Sequence, residues 1–264
     1  MYQYLHGARV LFDQMRLLFK RMMVNRKATL ITTFGMILNN ILFFCIWILL
    51  FQHVPTLKGW ELSDVAMMYG LGATCFGLSG AFLGGYRLMA DHIRTGQFDA
   101  YLGKPISPMI LSLTSFSTAH ALGDALTGPL FWLFFCDLTS VQVMVLVACS
   151  IAGAAICAAI GVMIYSLAFW LDEARTYADT LLYFSITFLT TPLHGMPYWV
   201  KVLLFTVFPI GFVSYLPVEI AREPSMPLVI CCFLGAVWAF VMARVVFYMG
   251  LKRYSGASGI RSAL

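Results

Sequence analysis

Charged residues are scarce in this chain, and their scarcity excludes most classes of soluble protein. Only 11% of the 264 residues are charged, whereas 61% are hydrophobic. A globular protein of this composition would expose more apolar surface than water tolerates, so we expect the chain to lie in a lipid bilayer. Each spanning helix needs about 20 apolar residues, which leaves room for roughly six spans and no additional soluble domain. We therefore predict one transmembrane domain over residues 1–264.

Patterns typical of metal sites, disulfide frameworks and nucleotide-binding loops are also missing. The seven cysteines lie within apolar runs, without the paired spacing of metal ligands, and we interpret them as small packing residues. Gly96 and Gly103 are separated by six residues where a phosphate-binding loop has four, and Pro105 replaces its Ser or Thr. The net charge of +5 comes from basic residues that flank apolar segments, a pattern that does not indicate nucleic acid. We predict that this chain itself binds no metal, cofactor or nucleic acid.

Apolar runs divide the chain into an N-terminal segment and the predicted spans. Residues 1–25 carry apolar side chains at three- and four-residue steps, the pattern of an amphipathic interfacial helix. Residues 192–227 are apolar but rich in Pro and Gly, which excludes one continuous helix. We predict re-entrant half-helices between spans five and six. These half-helices form either a wall of the pathway or a buried cap. The fold class is therefore all-α and polytopic. The six predicted spans cover residues 29–51, 65–90, 109–136, 141–171, 180–191 and 228–250.

Lys and Arg are distributed unequally between the two sides of this predicted topology. Thirteen of the 17 lie in the N-terminal segment, the 87–104 and 172–179 loops and the C-terminal tail, against three on the opposite side. By the positive-inside rule, both termini and the 91–108 loop are cytoplasmic. We expect a multi-pass protein of the inner (cytoplasmic) membrane, in contact with its lipids.

A few polar and small residues inside the predicted spans call for an explanation. His120 and Asp124 stand at i and i+4 in the third span, and Arg244 lies in the sixth. Ionisable groups are costly in the membrane, so these residues mark either a functional site or a structural pair, Asp124 with Arg244 or Asp124 with His120. Arg244 could instead extend to the cytosolic interface. Gly80 and Gly84 have the small-xxx-small spacing that permits close helix packing.

The most informative segment is a charged island between two apolar runs, residues 91–108, DHIRTGQFDAYLGKPISP. Ile93, Phe98 and Leu102 place apolar side chains among its charges, which is costly in a cytosolic loop unless something covers them. The cover is either the chain's own helices or a second protein. Because the other cytosolic loops are very short, we interpret the island as a docking surface.

The island and two further stretches are similar to a known family. IRTGQFDAYLGKPISP at 93–108, FQHVPTLKGW at 51–60 and GLKRYSGAS at 250–258 resemble the type-2 ABC exporter permeases, in particular a bacterial branch. The likeness covers nearly the whole chain. Its specific part is the pattern Ile-Arg-x-Gly-x-x-Asp-x-x-Leu-x-x-Pro, carried here by Ile93, Arg94, Gly96, Asp99, Leu102 and Pro105.

The resemblance implies a transport subunit, not an enzyme. It implies a connecting helix at 1–25, six spans, a coupling helix within 91–108, and re-entrant helices after the fifth span. Two permeases, identical or homologous, would pair, and two separate ATP-binding subunits that hold ATP and Mg²⁺ would dock on the cytosolic face to drive export. Phe98 and Leu102 would be apolar anchors in the ATPase groove, and Gly96 would permit the turn. The implied ATPase contact comprises Ile93, Arg94, Gly96, Phe98, Asp99, Leu102 and Pro105.

Two other classes stay open, and the cargo is only broadly indicated. An integral-membrane enzyme acting on lipids would use His120, Asp124 and His194 as acids and bases, although the sequence does not cluster them at an interface. A passive channel would conduct without nucleotide and would leave the island without a purpose. Aromatic residues in the second and fifth spans are typical both of a pathway for a hydrophobic or amphipathic cargo and of ordinary lipid-facing helices.

Overall fold

The structure, a computed structural model, describes residues 16–17, 20 and 24–255, and there the chain is built from helices and short connections. The interfacial helix predicted for residues 1–25 lies outside the described residues, apart from a few isolated positions. Three short 3-10 turns, Ser166–Phe169, Leu193–Gly195 and Pro209–Phe212, interrupt the α-helices. The α-helices from residue 26 onward are α1 (Arg26–His53), α2 (Leu62–Leu83), α3 (Tyr86–Arg94), α4 (Asp99–Leu102), α5 (Pro108–Leu113), α6 (Ala121–Phe135), α7 (Ser140–Tyr165), α8 (Ala174–Leu189), α9 (Tyr198–Thr206), α10 (Tyr215–Arg222) and α11 (Met226–Leu251).

Several of these helices are long and apolar enough to cross a membrane. Four described helices meet that requirement, namely α1, α2, α7 with its following 3-10 turn, and α11, and the bent pair around α9 and α10 would add a fifth if it forms one span. Helix α6 is apolar but has 15 residues, which corresponds to about 22 Å at the usual helical rise, less than the hydrocarbon core of a bilayer. The chain is thus a multi-pass membrane protein, and the count of six spans stays a prediction.

The third predicted span, residues 109–136, is interrupted over residues 114–120, whereas helix α6 continues through Gly128 and Pro129. The chain forms α5, leaves helical geometry over residues 114–120, and resumes as α6. Side-chain hydroxyls compete with the backbone at the break: Thr114 Oγ1 donates to the Ile110 carbonyl at 3.0 Å and Ser115 Oγ donates to the Ser112 carbonyl at 2.7 Å. The Gly85 amide also donates to the Leu113 carbonyl at 2.9 Å. A hydropathy pattern does not reveal such local hydrogen bonds.

Helix α2 is the centre of the helical assembly. It packs against both α6 and α7, while α1 packs mainly on α6 and α11 packs mainly on α7. Small residues permit close approach of the helices: a Cβ placed on Gly70 of α2 would lie 2.9 Å from the Gly128 Cα of α6. Most α2 side chains are consequently buried.

The Pro-rich region between α8 and α11 is broken, as its proline density predicts. Helix α9 and the segment Pro209–Arg222 meet at an angle of 76°. The carbonyl of Thr206, left free where α9 ends, accepts a hydrogen bond from Trp238 Nε1 at 2.9 Å. A backbone broken at membrane depth needs such partners from the protein itself. The re-entrant path through the membrane stays a prediction.

Candidate functional site

Three segments that are distant in sequence meet at one end of the helices and form an open cleft of about 580 Å³. All three are segments that the sequence predicts to be cytosolic. The cleft is lined by Ala90, Asp91 and Ile93–Gly96 from the island side, by Ala168, Phe169 and residues 171–176 after α7, and by Arg253–Ser255 after α11.

An ion-pair network joins the island to the helices behind the cleft. The Arg175 guanidinium pairs with the Asp91 carboxylate of the island and, at 3.4 Å, with Asp179 one turn further along α8. The hydroxyl of Tyr165, the last residue of α7, donates a hydrogen bond to Asp179. These contacts tie α3, α7 and α8 together at this end of the molecule.

Exposed acids and bases alternate around the cleft. Arg94 and Arg253 are exposed on two of its sides, and Asp172 and Glu173 are exposed on the third. Surface ion pairs add little stability by themselves, but a mixed pattern of charges gives a partner surface its orientation. The cleft therefore has the character of a polar docking surface and lacks the apolar lining typical of a small-molecule pocket.

The sharp turn of the island is made by Gly96. Helix α3 ends at Arg94, and Gly96 adopts a φ of 75°, a left-handed conformation that glycine occupies without a steric penalty. The chain then reverses so that the Phe98 amide donates to the His92 carbonyl at 3.0 Å. The turn that the sequence assigns to Gly96 is present at that residue.

The expectation that Phe98 anchors a partner is wrong in this structure, because its ring is fully buried within the chain. The ring lies 5.8 Å from that of Phe169, 6.0 Å from that of Phe247 and 5.6 Å from that of Tyr254, measured between centroids. Such edge-to-face contacts add to the stabilisation from burial. We call Phe98, Phe169, Phe247 and Tyr254 the aromatic cluster; it joins the island to the ends of α7 and α11.

The rest of the predicted ATPase contact divides between surface and interior. Arg94, Asp99 and Pro105 are exposed, whereas Ile93 is buried. Gly96 and Leu102 are half-buried, Leu102 against the apolar core. The island thus covers its apolar side chains largely with the chain's own helices and presents a polar outer surface.

Sequence reasoning missed Asp91, Arg175 and Tyr254 as members of this site. Burial, and then the nearby Asp99 carboxylate, raise the pKa of the Tyr254 phenol. Each of the three lies on a different segment, so their proximity depends on tertiary packing. Only the spacing of Arg175 and Asp179, four residues apart in a charged stretch, could have indicated an ion pair there.

Asp124 is buried among polar side chains of α1, α2 and α6. Asn40 of α1 donates from Nδ2 to Asp124 Oδ1 at 2.8 Å and to Thr127 Oγ1 at 3.1 Å, and the Tyr69 hydroxyl donates to Asn40 Oδ1 at 3.4 Å. Both pairings expected for Asp124 are therefore wrong. His120 is exposed at the start of α6, and the Arg244 guanidinium lies 5.0 Å from the centre of the Tyr248 ring.

The two glycines predicted to pack helices have different surroundings. A Cβ on Gly80 would lie 3.1 Å from the Ala121 Cβ, so Gly80 faces the start of α6. Gly84 follows the last residue of α2, and a Cβ there would meet the carbonyl of Gly80 in its own chain segment. The approach of α2 to α6 is tightest at Gly77, where a Cβ would meet the backbone of Ala121 and Ala125, and it is also close at Gly70 and Gly128.

Asp124 and His120, two of the three acid–base candidates for a lipid-modifying enzyme, have different surroundings. Asp124 is buried and hydrogen-bonded to Asn40, whereas His120 is exposed. His194 lies in the separate 3-10 turn Leu193–Gly195. Among the side chains that the structure describes, no group of three or more His, Cys, Asp or Glu residues could hold a metal ion.

Comparison with known proteins gives one family. The model of the family described as ABC-2 family transporter protein matches residues 35–258. That range contains all the described helices except the start of α1, and it includes the cleft, the island and the aromatic cluster. No curated protein and no solved structure gives a match.

Proposed function

Because the chain belongs to the ABC-2 transporter family and is therefore an ABC transporter permease, we propose that it forms the cargo pathway of an ATP-driven exporter. It works with a second permease, and separate ATP-binding subunits hold the ATP and Mg²⁺ and carry out the hydrolysis. The observation that supports this proposal most strongly is the cleft, where the island, the start of α8 and the C-terminal segment meet. A transport subunit needs such a surface, on which a motor protein can act on several helices at once.

The docking surface for the ATP-binding subunit consists of the outer side of the island and the rim of the cleft. Arg94, Asp99 and Pro105 are exposed on the island, and Asp172 and Arg253 are exposed on the rim. Charges of both signs select a partner with the complementary arrangement and fix its orientation. Ile93 and Phe98, which lie beneath this surface, support it from inside.

The aromatic cluster is the mechanical link of the proposed cycle. When the ATP-binding subunits close, they push the island. Phe98 then displaces Phe169 and Phe247, because closely packed rings leave no empty space between them. The ends of α7 and α11 then shift with the island. Through the Asp91–Arg175 pair the same push reaches α8. Rigid helices that move together in this way open a pathway toward the other side.

The proposed topology has six spans, with both termini in the cytoplasm and the protein in the inner (cytoplasmic) membrane. Helices α6 and α8 are the two shorter spans, and α9 and α10 are the re-entrant helices before α11. Lys58 and Arg222, basic residues of the side proposed to be non-cytoplasmic, lie close together, since Arg222 Nη2 donates to the carbonyl of Gly59 at 3.3 Å. The clustering of Lys and Arg at the end that bears the cleft supports this orientation.

The proposed cargo is hydrophobic or amphipathic. Helix α8 exposes aromatic rings, Tyr183 and Phe184, beside the hydroxyls of Thr180 and Thr187. A surface that combines rings and hydroxyls suits a molecule with both apolar and polar parts.

The test is capture of the tagged chain from native membranes in mild detergent, with identification of the proteins that accompany it. We expect an ATP-binding subunit with the wild type and its loss in the double variant Arg94→Glu, Asp99→Lys, which reverses two exposed charges of the island. The matched control reverses two exposed charges of the opposite side, Lys58→Glu and Glu223→Lys, and should retain the subunit. An intact wild-type chain without any ATP-binding subunit would overturn the proposal, as would equal capture by the island variant.

A further inference from the structure

The start of α3 places an arginine against the apolar side chains of α2. Arg87 follows the bend at Gly84 and Gly85, where α2 ends and α3 begins, and its side chain is half-buried. The guanidinium carbon lies 5.1 Å from the centre of the Phe76 ring and 5.6 Å from the centre of the Tyr86 ring. Two aromatic faces at these distances hold a guanidinium by cation–π attraction. Phe76 is itself partly exposed, so the position is accessible from outside the chain.

The Arg87 side chain is directed away from the end of α2 that leads into the island. Phe76 lies two turns before Leu83, the last residue of α2, a distance of about 10 Å at the usual helical rise. Side chains lean toward the N-terminus of their helix, so the Phe76 ring lies still further from that end. An arginine that only avoids hydrocarbon extends in the opposite direction, toward water. In the proposed topology the guanidinium therefore lies in the cytoplasmic leaflet.

The charge of Arg87 has no opposite charge in contact with it. Among the residues that the structure describes, its guanidinium forms no ion pair, whereas Arg175 pairs with Asp91. Asp124 interacts with the charge of Arg87 only from beyond ion-pair distance, and it is hydrogen-bonded to Asn40. An unpaired charge is costly in apolar surroundings. The position therefore indicates an anionic group from outside the chain.

Buried polar atoms without a hydrogen bond concentrate around the same arginine. The described residues contain five such side-chain atoms, and four belong to the end of α2, the start of α3 or the break that packs on them. They are Arg87 Nε and the hydroxyl oxygens of Ser79, Tyr86 and Thr118, the last of which lies 3.6 Å from a Cβ placed on Gly80. Ser79 and Arg87 lie near the Tyr86 hydroxyl without the alignment of a hydrogen bond. Because buried polar groups are nearly always hydrogen-bonded, this concentration also indicates a polar partner.

Helix α7 fixes the position of the aromatic ring beside Arg87. Tyr86 is fully buried, and its ring centroid lies 5.7 Å from that of Tyr165 at the end of α7. A Cβ placed on Gly161 would lie 2.7 Å from the Tyr86 ring, so the ring fills the space that this glycine leaves. A ring packed in this way has no alternative position, and it holds the guanidinium of the next residue in one orientation.

We propose that Arg87 binds the phosphate group of an acidic phospholipid, with the rings of Phe76 and Tyr86 orienting the guanidinium. A planar guanidinium donates two parallel hydrogen bonds to phosphate oxygens, and basic pockets between helices on the cytoplasmic side of a membrane bind acidic head groups. Because Arg87 has no counter-charge in contact with it, an acidic head group complements it better than a zwitterionic one. This site goes beyond the proposed function and does not require it, since only α2 must lie in the membrane.

The experiment titrates the purified full chain in a neutral detergent with dioleoyl phosphatidylglycerol and counts the bound lipids by native mass spectrometry. The wild type should bind the first phosphatidylglycerol about tenfold more tightly than phosphatidylcholine with the same acyl chains, because only the former has a net negative head group. Inorganic phosphate, which lacks acyl chains, should not displace the lipid at equal concentration. Equal affinity for the two lipids, or displacement by inorganic phosphate, would overturn the proposal.

Substitutions locate the site within the chain. Arg87→Gln removes the charge and should lower the affinity for phosphatidylglycerol about tenfold, the effect of losing a hydrogen bond between charged groups. Arg87→Lys keeps the charge without the planar fork and should bind with intermediate affinity. The matched control Arg94→Gln removes an exposed arginine at the other end of α3 and should bind like the wild type. Undiminished binding in Arg87→Gln, or an equal loss in Arg94→Gln, would contradict the site.

A further variant keeps the test decisive if Arg87→Gln does not fold. Phe76→Leu retains an apolar side chain but removes the ring that faces the guanidinium, and it should also weaken the binding of phosphatidylglycerol. Wild-type affinity in both Phe76→Leu and Arg87→Lys would overturn the proposal.

Discussion

The ring of Phe98 meets the ring of Phe169 edge to face, at 88° and 5.8 Å between centroids. This contact holds a charged loop against the helices behind it. The island is polar where it faces outward, and beneath that surface it is joined to the ends of α7 and α11 by packed aromatic rings. Its apolar side chains, which made it unusual in sequence, are part of the protein core.

Replacing Phe98 by Ala should destabilise the fold. Truncation of a fully buried Phe ring costs about 3–5 kcal/mol, because both the buried area and the packing of its neighbours are lost. The control Tyr177→Ala removes a ring that is 56% exposed and should change stability by about 0.5 kcal/mol or less. The measurement is unfolding in detergent by heat or denaturant, and equal stability of the two variants would show that the aromatic cluster does not hold the island.

Gly96→Ala should be destabilising while Gly103→Ala, in the same island, should be close to neutral. Gly96 has a φ of 75°, where an L side chain costs about 1–2 kcal/mol. Gly103 has a φ of −76° and nothing within 4 Å of a Cβ, so Ala fits there. Comparison of the two unfolding midpoints tests whether the turn depends on glycine; an equally stable Gly96→Ala variant would mean that it does not.

Two neighbouring amides should respond differently to substitution by Leu. Asn40→Leu leaves the buried Asp124 carboxyl without its amide donor. Loss of the partner of a buried polar group costs about 1–3 kcal/mol of stability, and the cost is larger when the group is charged. Asn39→Leu removes an amide that has no partner among the described residues and should leave the stability of the separated chain unchanged. Unfolding of both variants in a detergent that separates any paired chains provides the comparison, and a stable Asn40→Leu variant would contradict the role assigned to the Asp124 network.

Stability should fall as the pH drops below the ordinary pKa of histidine, and His92 should account for part of the loss. Burial lowers the pKa of His92 below its usual value of 6.5, with the Asp91 carboxylate acting in the opposite direction. The unfolded chain therefore takes up this proton at a higher pH than the folded chain, and stability decreases as the pH falls through 6.5 toward the folded pKa. Unfolding midpoints measured between about pH 7.5 and 5 should show a flatter dependence for His92→Gln; identical slopes would rule out this contribution.

Local chemistry made part of this structure predictable. Apolar runs identified α1, α2, α7 and α11, and the turn at Gly96 agrees with what the family resemblance implies. The break at 114–120 was not predictable in this way, because hydroxyl-to-backbone hydrogen bonds and the Gly85 contact end the helix without a change in hydropathy. The partner of Asp124 was missed for a related reason: Asn40 is uncharged and 84 residues away, so no charge pattern identifies it.

Phe98 shows that the exposure of a side chain cannot be inferred from its sequence neighbours alone. An aromatic residue between charges is typical both of a docking anchor and of a loop residue folded back into the core. Only the positions of Phe169, Phe247 and Tyr254, which come from other parts of the chain, distinguish the two.

The most direct test of the central claim is photo-cross-linking in intact membranes, with a photoreactive amino acid placed at position 94 or 99 of the island. The control positions are Lys58 and Glu223, exposed residues that the proposed topology places on the non-cytoplasmic side. We predict a cross-link from 94 and 99 to an ATP-binding subunit and none from 58 or 223. Cross-links to that subunit from the control positions, or none from the island in an intact chain, would contradict the assignment of the island as the surface through which ATP hydrolysis drives this permease.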